Sequence, residues 1–320
     1  MLSLLGIFLS TSTICFSGGY STYLQRCFKS PLEDACKSYP SAKDTIFDTR
    51  EYPLLGRSNK PIKWGGVSPR ILIITNTVNA HYEDRAQIIR NTFMQRVNQK
   101  ESLDLIFLGG PTTDGSPDML PSGCKVDYWE DSCKKADMIV VAYEILKKNG
   151  GEAWDWFMFA DDDALIIPDN LQRGIMRLDD ISKKKIAVWG SFDCALVECR
   201  GICGGGGFFM NRDTLMQINE KGDKLKYPTF RDEIDAYHFA CGKCGDLAIT
   251  EGLLNIRNIP VHQFFQGNHI WKFKSDDELL ETLKQTDTLA PWLYHYGAKG
   301  RFPFVWEEVK KHKSSNDLDD

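Results

Sequence analysis

The sequence lacks the features typical of proteins that bind nucleic acids or hold phosphates in a glycine-rich loop. Its longest basic run is the three lysines at 183–185, and the formal net charge over 320 residues is −5. Binding a phosphate backbone takes a clustered basic surface, so we predict no nucleic-acid partner. The chain contains neither GxxxxGK[ST] nor GxGxxG followed by an apolar helix. The phosphate-binding loops that these motifs form are therefore excluded.

Charge is also missing from the start of the chain, where no charged residue precedes Arg26. Residues 1–18 are mostly apolar or small and predict a signal peptide or a signal anchor. A full membrane span needs about 20 apolar residues, and the first basic residues follow this segment, which favours the signal peptide. Either one would send the rest of the chain to the ER or Golgi lumen, anchored to the membrane or secreted. No Asn-x-Ser/Thr sequon offers separate support for that route.

Cysteine, in contrast, is plentiful, with ten residues of which nine follow Cys15. In the secretory pathway disulfides are the expected state, and at least one of the nine would remain unpaired. Cys27 and Cys36 form the shortest candidate bridge in the N-terminal part. Cys241 and Cys244 form a CxxC pair, which can also bind zinc or act in redox chemistry. No second CxxC and no following His pair accompany it, so we predict disulfides there too.

The composition is that of a folded protein, with 42% hydrophobic and 12% aromatic residues. This is enough to bury the core of one large domain or of two small ones. Residues 19–68 are rich in Ser, Pro, Gly and charge and predict a stem or linker. The globular part, interpreted as a catalytic domain, runs over 69–310, and a polar tail follows at 311–320.

Strand and helix patterns alternate from residue 71 onwards. Continuous apolar runs at 71–74 and 105–108 predict buried strands, and a third strand ends at Asp161. Between them, 83–96 and 133–148 carry the apolar spacing of amphipathic helices. This order predicts an α/β fold with a mainly parallel, twisted sheet and helices on both faces. Ligands of such sheets bind beyond the carboxyl ends of the strands.

Three consecutive carboxylates, Asp161, Asp162 and Asp163, stand at such a strand end. Adjacent acids repel one another unless a cation lies among them, and a divalent metal is the natural candidate. The alternative is a solvated turn that caps the helix predicted at 170–178.

Three further features follow the triplet. Four glycines at 204–207 run into an aromatic strand and would let the backbone approach a ligand, or would simply form a flexible loop. Asp246 opens an apolar helix that runs to about residue 256, where it could also act only as an N-cap. His262 lies on a short strand at 259–265, either as a metal ligand or as a satisfied polar group.

In this order, these segments resemble the Fringe-like β-1,3-glycosyltransferases, and the core-1 β-1,3-galactosyltransferases in particular, over about residues 70–272. Five motifs carry the resemblance: Arg85-x4-Arg90-x-Thr92-Phe93, Phe159-Ala160-Asp161-Asp162-Asp163, Cys203 with the glycines up to Phe208, Gly245-Asp246-Leu247-Ala248, and Val261-His262-Gln263-Phe264. The chain departs from the family at Phe93, usually Trp, at Gly245, usually an acid, and at Cys133 and Cys203. These departures leave the sugar specificity open.

The resemblance implies a GT-A fold, a nucleotide-sugar donor and inverting transfer to a hydroxyl, with Mn²⁺ or Mg²⁺ as the cofactor. Such an ion stabilises the charge of a diphosphate leaving group, and inverting attack needs one general base. Trp292 and Tyr294 could stack on the acceptor, although core packing explains these aromatics equally well. The implied roles are Asp246 as base, Asp161, Asp163 and His262 as metal ligands, Thr75, Arg85, Asp162, Gly205 and Gly206 at the nucleotide sugar, and Trp292 and Tyr294 at the acceptor.

The first functional hypothesis is therefore transfer of galactose from UDP-galactose to GalNAc-Ser/Thr of glycoproteins, which is core 1 O-glycan synthesis. The alternatives are a Fringe-type transfer of GlcNAc to fucose, a catalytically silent relative that only binds, and a metal-dependent hydrolase. The predicted partners are a UDP-sugar donor and a glycoprotein or glycopeptide acceptor. Membrane association through the N-terminal segment and a homodimer are left open.

Overall fold

The computed structural model describes residues 52, 55, 69–124, 131–182, 185–190, 202, 204–221, 227–241, 245–263, 267–269, 281, 293–295 and 302–314. The predicted N-terminal segment at 1–18, the cysteine pair Cys27 and Cys36, and nearly all of the predicted stem at 19–68 lie outside these residues. Within the described parts of the chain, no helix combines the length and the apolarity that crossing a membrane requires.

A seven-stranded sheet forms the centre of the described structure, in the order β3-β2-β1-β4-β7-β6-β8. All neighbouring strands are parallel except where β7 pairs antiparallel with β4 and β6. A smaller three-stranded sheet has the order β5-β10-β9. The strands are β1 (Ile71–Asn76), β2 (Leu103–Leu108), β3 (Met119–Leu120), β4 (Trp156–Asp161), β5 (Ala164–Ile166), β6 (Val188–Gly190), β7 (Phe208–Asn211), β8 (Val261–Gln263), β9 (Gly267–His269) and β10 (Leu293–His295).

Helices cover both faces of the main sheet. The described α-helices are α1 (Gln87–Asn91), α2 (Phe93–Asn98), α3 (Asp131–Lys148), α4 (Pro168–Ser182), α5 (Arg212–Glu220), α6 (Phe230–Cys241), α7 (Gly245–Glu251) and α8 (Phe302–Ser314), and a π-helical turn, Gly252–Ile256, continues α7. One hydrophobic core joins alternate strand residues to α1, α2, α4 and α8, and a second joins the opposite face to α3, α5, α6 and α7. Each strand of the centre is thus buried on both sides, which is why β1 and β4 are continuous apolar runs.

The predicted α/β class, with a mainly parallel sheet and helices on both faces, is confirmed. The helix predicted at 83–96 is divided: a π-helical turn (Tyr82–Ala86) precedes α1, and Thr92 separates α1 from α2. The Thr92 hydroxyl donates to the Ile88 carbonyl at 2.7 Å, a local bond that competes with the helical ladder and bends it. Phe93 is then fully buried, edge-on to Trp306 of α8.

The structure contains a helix and four short strands that the sequence did not predict. Helix α8, whose Val305, Trp306 and Val309 are buried, was not predicted, and it continues to Ser314, into the expected polar tail. The four short strands β3, β5, β9 and β10 were not predicted either. A disulfide joins Cys124 to Cys133 at the start of α3, in agreement with the prediction that the cysteines form disulfides.

Candidate functional site

The carboxyl ends of β1, β4, β6 and β8 meet at one edge of the main sheet. Because β7 is antiparallel to β4, with Phe208 opposite Phe159, the glycine turn that precedes β7 arrives at this same edge. Asp161 ends β4, and Asp162 and Asp163 follow in a turn. The predicted triplet and the predicted glycine segment are therefore neighbours, at the end of the sheet where α/β proteins bind ligands.

Asp162, the middle residue of the triplet, is only 5% exposed. Its Oδ2 accepts a hydrogen bond from the Thr77 hydroxyl at 2.7 Å, and its Oδ1 accepts one from Arg85 Nη1 at 2.7 Å. Burial raises the pKa of Asp162, while the Arg85 charge and the Thr77 hydrogen bond act in the opposite direction. Burial would lower the pKa of Arg85, but Asp162 and Asp163 outweigh it, so this pKa is raised and the guanidinium keeps its charge.

Asp161 and Asp163, on either side of Asp162, are half-buried rather than buried. Asp161 Oδ1 accepts from Asn76 Nδ2 at 3.4 Å, and Asp163 Oδ2 lies 3.8 Å from Arg85 Nη1. Mg²⁺ is commonly held by one or two carboxylates together with substrate phosphates and water, and Mn²⁺ also favours oxygen ligands. The two outer carboxylates fit such an ion, whereas both oxygens of Asp162 already accept strong hydrogen bonds.

His262 lies on β8, which β7 and β6 separate from β4. Its ring is tilted against Trp189, with the ring centroids 6.1 Å apart. Burial, and then the charge of Lys185, lower the pKa of His262, so the imidazole is neutral at neutral pH. Among the described residues no three His, Cys, Asp or Glu side chains lie close enough together to hold a metal. The structure does not bring His262 to Asp161 and Asp163, and its role as a ligand stays a prediction.

Asp246 lies in the first turn of α7 and is 9% exposed. Its Oδ1 accepts two hydrogen bonds, one from Lys135 Nζ at 2.5 Å and one from the Gly204 amide at 3.1 Å. The ammonium comes from α3 and the amide from the glycine segment before β7. Three separate elements therefore meet at the predicted base.

Lys134 and Lys135, which belong to none of the predicted motifs, connect the two halves of the site. The Lys134 ammonium donates to the Thr77 carbonyl at 3.2 Å, and the Thr77 hydroxyl donates to Asp162. Both lysines are nearly fully buried, at 2% and 3% exposure. Lys135 is spaced four, seven and eleven residues before the buried Ile139, Ala142 and Leu146. That spacing places it on the core face of the helix, and this signal could have revealed it.

The remaining residues predicted at the donor occupy different environments. Thr75 is 1% exposed on β1, between Phe107 of β2 and Ala160 of β4 in register, and within the described structure its hydroxyl has no hydrogen-bond partner. Gly205 and Gly206 are buried in the turn that the Gly207 amide closes onto the Gly204 carbonyl at 3.0 Å. Gly207 has φ +72°, a conformation that glycine adopts without strain.

The two residues predicted at the acceptor are described only in part. Trp292 lies outside the described residues. The backbone of Tyr294 belongs to β10 and pairs with Leu165 of β5, while its neighbour His295 pairs with Ala164, the residue after the triplet. The small sheet thus starts at the triplet, and the acceptor roles of Trp292 and Tyr294 stay predictions.

No protein-family model matches the chain. The structure is similar to solved glycosyltransferases at low sequence identity. They include a glycosyltransferase involved in the glycosylation of the major capsid of PBCV-1, with 11% identity, a match over 77% of this chain and 100% of that chain, and a TM-score of 0.44. The galactosyltransferase LgtC, in complex with donor and acceptor sugar analogs, is 11% identical. The match covers 75% of this chain and 95% of that chain, with a TM-score of 0.37. The mannosyltransferase PcManGT from Pyrobaculum calidifontis, in complex with GDP-Man and Mn²⁺, is 11% identical. The match covers 93% of this chain and 83% of that chain, with a TM-score of 0.35. Similarity at this level does not identify an activity, so the functional assignment rests on the residues of the site.

Proposed function

We propose that this protein is a metal-dependent, inverting β-1,3-glycosyltransferase with a GT-A-type fold. The observation that carries the proposal is the linked pair of buried carboxylates at one edge of the sheet. Asp162 and Asp246 come from distant parts of the chain, and Thr77 with the adjacent Lys134 and Lys135 joins them. A metal-assisted transfer needs these two parts side by side, namely acids at a diphosphate and one base at an acceptor hydroxyl.

In the proposed reaction, Asp246 accepts the proton of the acceptor hydroxyl while the hydroxyl oxygen attacks the anomeric carbon of the donor sugar. The bond from that carbon to the diphosphate oxygen breaks, and the nucleotide leaves with the electron pair. Asp161 and Asp163 would hold Mn²⁺ or Mg²⁺, with His262 as the third predicted ligand. A bound divalent ion would offset the charge that develops on the leaving diphosphate. Asp162 and Arg85 keep the two outer carboxylates in place.

The proposed donor is UDP-galactose, and the proposed acceptor is GalNAc-Ser/Thr of a glycoprotein or glycopeptide. Support comes from the motifs around Asp246 and His262, which are most similar to those of the core-1 enzymes. Thr75, Gly205 and Gly206 are the proposed contacts of the nucleotide sugar, together with Arg85. The proposed setting is the lumen of the ER or Golgi, because of the apolar N-terminal segment and the cysteine content.

The experiment is a measurement of UDP release by the purified lumenal part in the presence and absence of Mn²⁺. UDP-galactose and UDP-GlcNAc are compared, each alone, with a GalNAc-threonine peptide and with a fucose acceptor. We expect Mn²⁺-dependent release from UDP-galactose that the GalNAc peptide stimulates. Release from UDP-GlcNAc with fucose alone would instead establish the Fringe-type activity.

The same measurement separates the other functional classes. A hydrolase would release UDP and free galactose at the same rate with and without acceptor. A silent binder would release no UDP from either donor while still binding Mn²⁺ with UDP, which isothermal titration would detect. Either result would overturn the transferase proposal.

A further inference from the structure

We propose that Lys135 is a positioning residue that fixes the carboxylate of Asp246 for proton transfer, and that Gly204 is glycine in order to admit it. This inference rests on the proposed function, in which Asp246 is the general base. Its evidence is the contact of Lys135 Nζ with Asp246 Oδ1 at 2.5 Å and of the Gly204 amide with the same oxygen at 3.1 Å.

Two donors that approach one carboxylate oxygen from different elements determine where that oxygen lies. The direction of the second oxygen then follows from the planar geometry of the carboxylate. A general base must first stand in the right place relative to the proton that it removes. Lys135 and Gly204 thus orient the base through Oδ1, without contact to the acceptor being required of either.

The burial of the pair makes this contact a strong constraint. The Lys135 and Asp246 side chains are 4% and 12% exposed, so water screens their charges poorly. A buried charge without its partner is costly, and both groups are therefore held together. Lys135 also belongs to an 18-residue helix, α3, that packs against both α6 and α7. A rigid helix, rather than a surface loop, therefore carries the ammonium group.

Gly204 contributes through the side chain that it lacks. A methyl group built at position 204 would overlap Cε and Nζ of Lys135. Gly204 is not among the described residues with positive φ, so its backbone would accept alanine. The three nearest atoms all belong to the flexible end of Lys135, so this side chain moves rather than the backbone, and the separation of the buried pair costs stability. Gly204→Ala is therefore expected to displace the ammonium from Asp246 without disrupting the core.

The experiment compares four variants of the pair and one control variant with the wild type in the transfer assay. Lys135→Met removes the charge and retains most of the side-chain volume, Gly204→Ala displaces the ammonium, and the double variant Lys135→Ala/Gly204→Ala is measured beside Lys135→Ala. Lys147→Met, at an exposed lysine of the same helix, is the matched control. We expect Lys135→Met and Gly204→Ala each to lower kcat by about 10- to 100-fold, with KM for both substrates within about two-fold. The double variant should be no worse than Lys135→Ala, because the added methyl group occupies the vacated space.

Equal kcat in Lys135→Met and wild type would overturn the positioning role, as would losses that multiply in the double variant. A purely structural role would lower thermal stability and leave kcat of the folded fraction unchanged. A separate double-mutant cycle of Lys135→Met with Asp246→Asn, followed by thermal unfolding without substrates, measures the contact itself. If the wild type transfers sugar and the cycle shows no coupling between Lys135 and Asp246, the inference is rejected. Coupling in a wild-type protein that transfers no sugar would mean that the proposed function has failed and that the pair is structural.

Discussion

Asp162 and Asp246 are both buried carboxylates paired with a cation at the same edge of the sheet, yet they are held in different ways. The donors to Asp162 are divided, with the Thr77 hydroxyl on Oδ2 and Arg85 on Oδ1. The donors to Asp246 converge, with both Lys135 and the Gly204 amide on Oδ1. Asp162 thus accepts a hydroxyl on one oxygen and a cation on the other, whereas the ammonium and the amide described at Asp246 share one oxygen.

This difference separates a supporting residue from a reacting one. Strong hydrogen bonds on both oxygens occupy the lone pairs of a carboxylate and make it a poor metal ligand. Asp162 is therefore best understood as a brace that spaces Asp161 and Asp163. Lys135 and Gly204 orient the carboxylate of Asp246 from two separate elements, which suits a residue that must present it to the acceptor hydroxyl. Substitutions in the two halves of the site should then affect different measurable quantities.

The largest effect is expected from Asp246→Asn. Asparagine keeps the shape and can still accept from Lys135 and Gly204, but it cannot take the acceptor proton. Losing a general base lowers kcat by roughly 10²- to 10⁴-fold, while binding of UDP with Mn²⁺ should be retained. Steady-state kinetics and titration of UDP measure the two separately. Asp213→Asn, at an exposed acid in the first turn of α5, is the matched control. Full activity of Asp246→Asn would remove Asp246 from the mechanism.

Substitution of Asp162 should lower the free energy of unfolding rather than the rate of the chemical step. Asp162→Ala leaves Arg85 and the Thr77 hydroxyl without their buried partner. Breaking a buried ion pair costs about 3–5 kcal/mol, and the partial exposure of Arg85 argues for about 3 kcal/mol here. Urea unfolding at neutral pH measures the loss. Glu83→Ala, at an exposed acid in the same turn as Arg85, should change stability by less than about 0.5 kcal/mol. A loss at Asp162 as small as that of the control would contradict the brace.

The outer carboxylates should instead control metal dependence. Asp161→Asn and Asp163→Asn each remove one charged oxygen ligand, so we expect the Mn²⁺ concentration for half-maximal activity to rise by about 10- to 100-fold. Stability should change less than in Asp162→Ala, because both side chains are half-buried. His262→Ala tests the third predicted ligand in the same titration. An unchanged Mn²⁺ requirement in both aspartate variants would show that the ion, if any, binds elsewhere.

The difference between the two halves also shows what the sequence could predict. The α/β sheet and the edge that carries the triplet were predictable, because β1 and β4 are apolar runs that end in polar residues and β2 contains the apolar run 105–108. Strands of two to four residues, such as β3 and β5, are too short for a periodic pattern. The partners of Asp162 and Asp246 were not predictable from local patterns, since Arg85 and Lys135 lie 77 and 111 residues away along the chain. The lysines in α3 look like an ordinary polar helix start until the fold places Asp246 beside them.

The smallest change in stability is expected at Arg90, which binds two carboxylates outside the site. Its substitution tests whether a partly exposed ion pair contributes less than the buried pair of Asp162 and Arg85. Arg90, the second arginine of the motif that contains Arg85, donates to Asp114 and Asp118 at 2.7 Å each and lies over the ring of Phe107. Burial acts to raise the pKa of Asp114, but the hydrogen bonds from Arg90 and Ser116 and the Arg90 charge outweigh it and lower this pKa.

A lowered pKa in the folded state means that the unfolded chain takes up the proton more readily as the pH falls. The stability that Arg90 provides through Asp114 is therefore complete above the unfolded pKa and is lost as the pH falls through the folded pKa. Arg90→Met should cost about 1 kcal/mol at about pH 7, because the partners are partly exposed. The cost should shrink as the pH is lowered from about 7 through the unfolded pKa of Asp114 and then through its folded pKa, leaving only the lost contact with Phe107. Urea unfolding across that range measures it, and a cost independent of pH would show that packing, rather than charge, is what Arg90 contributes.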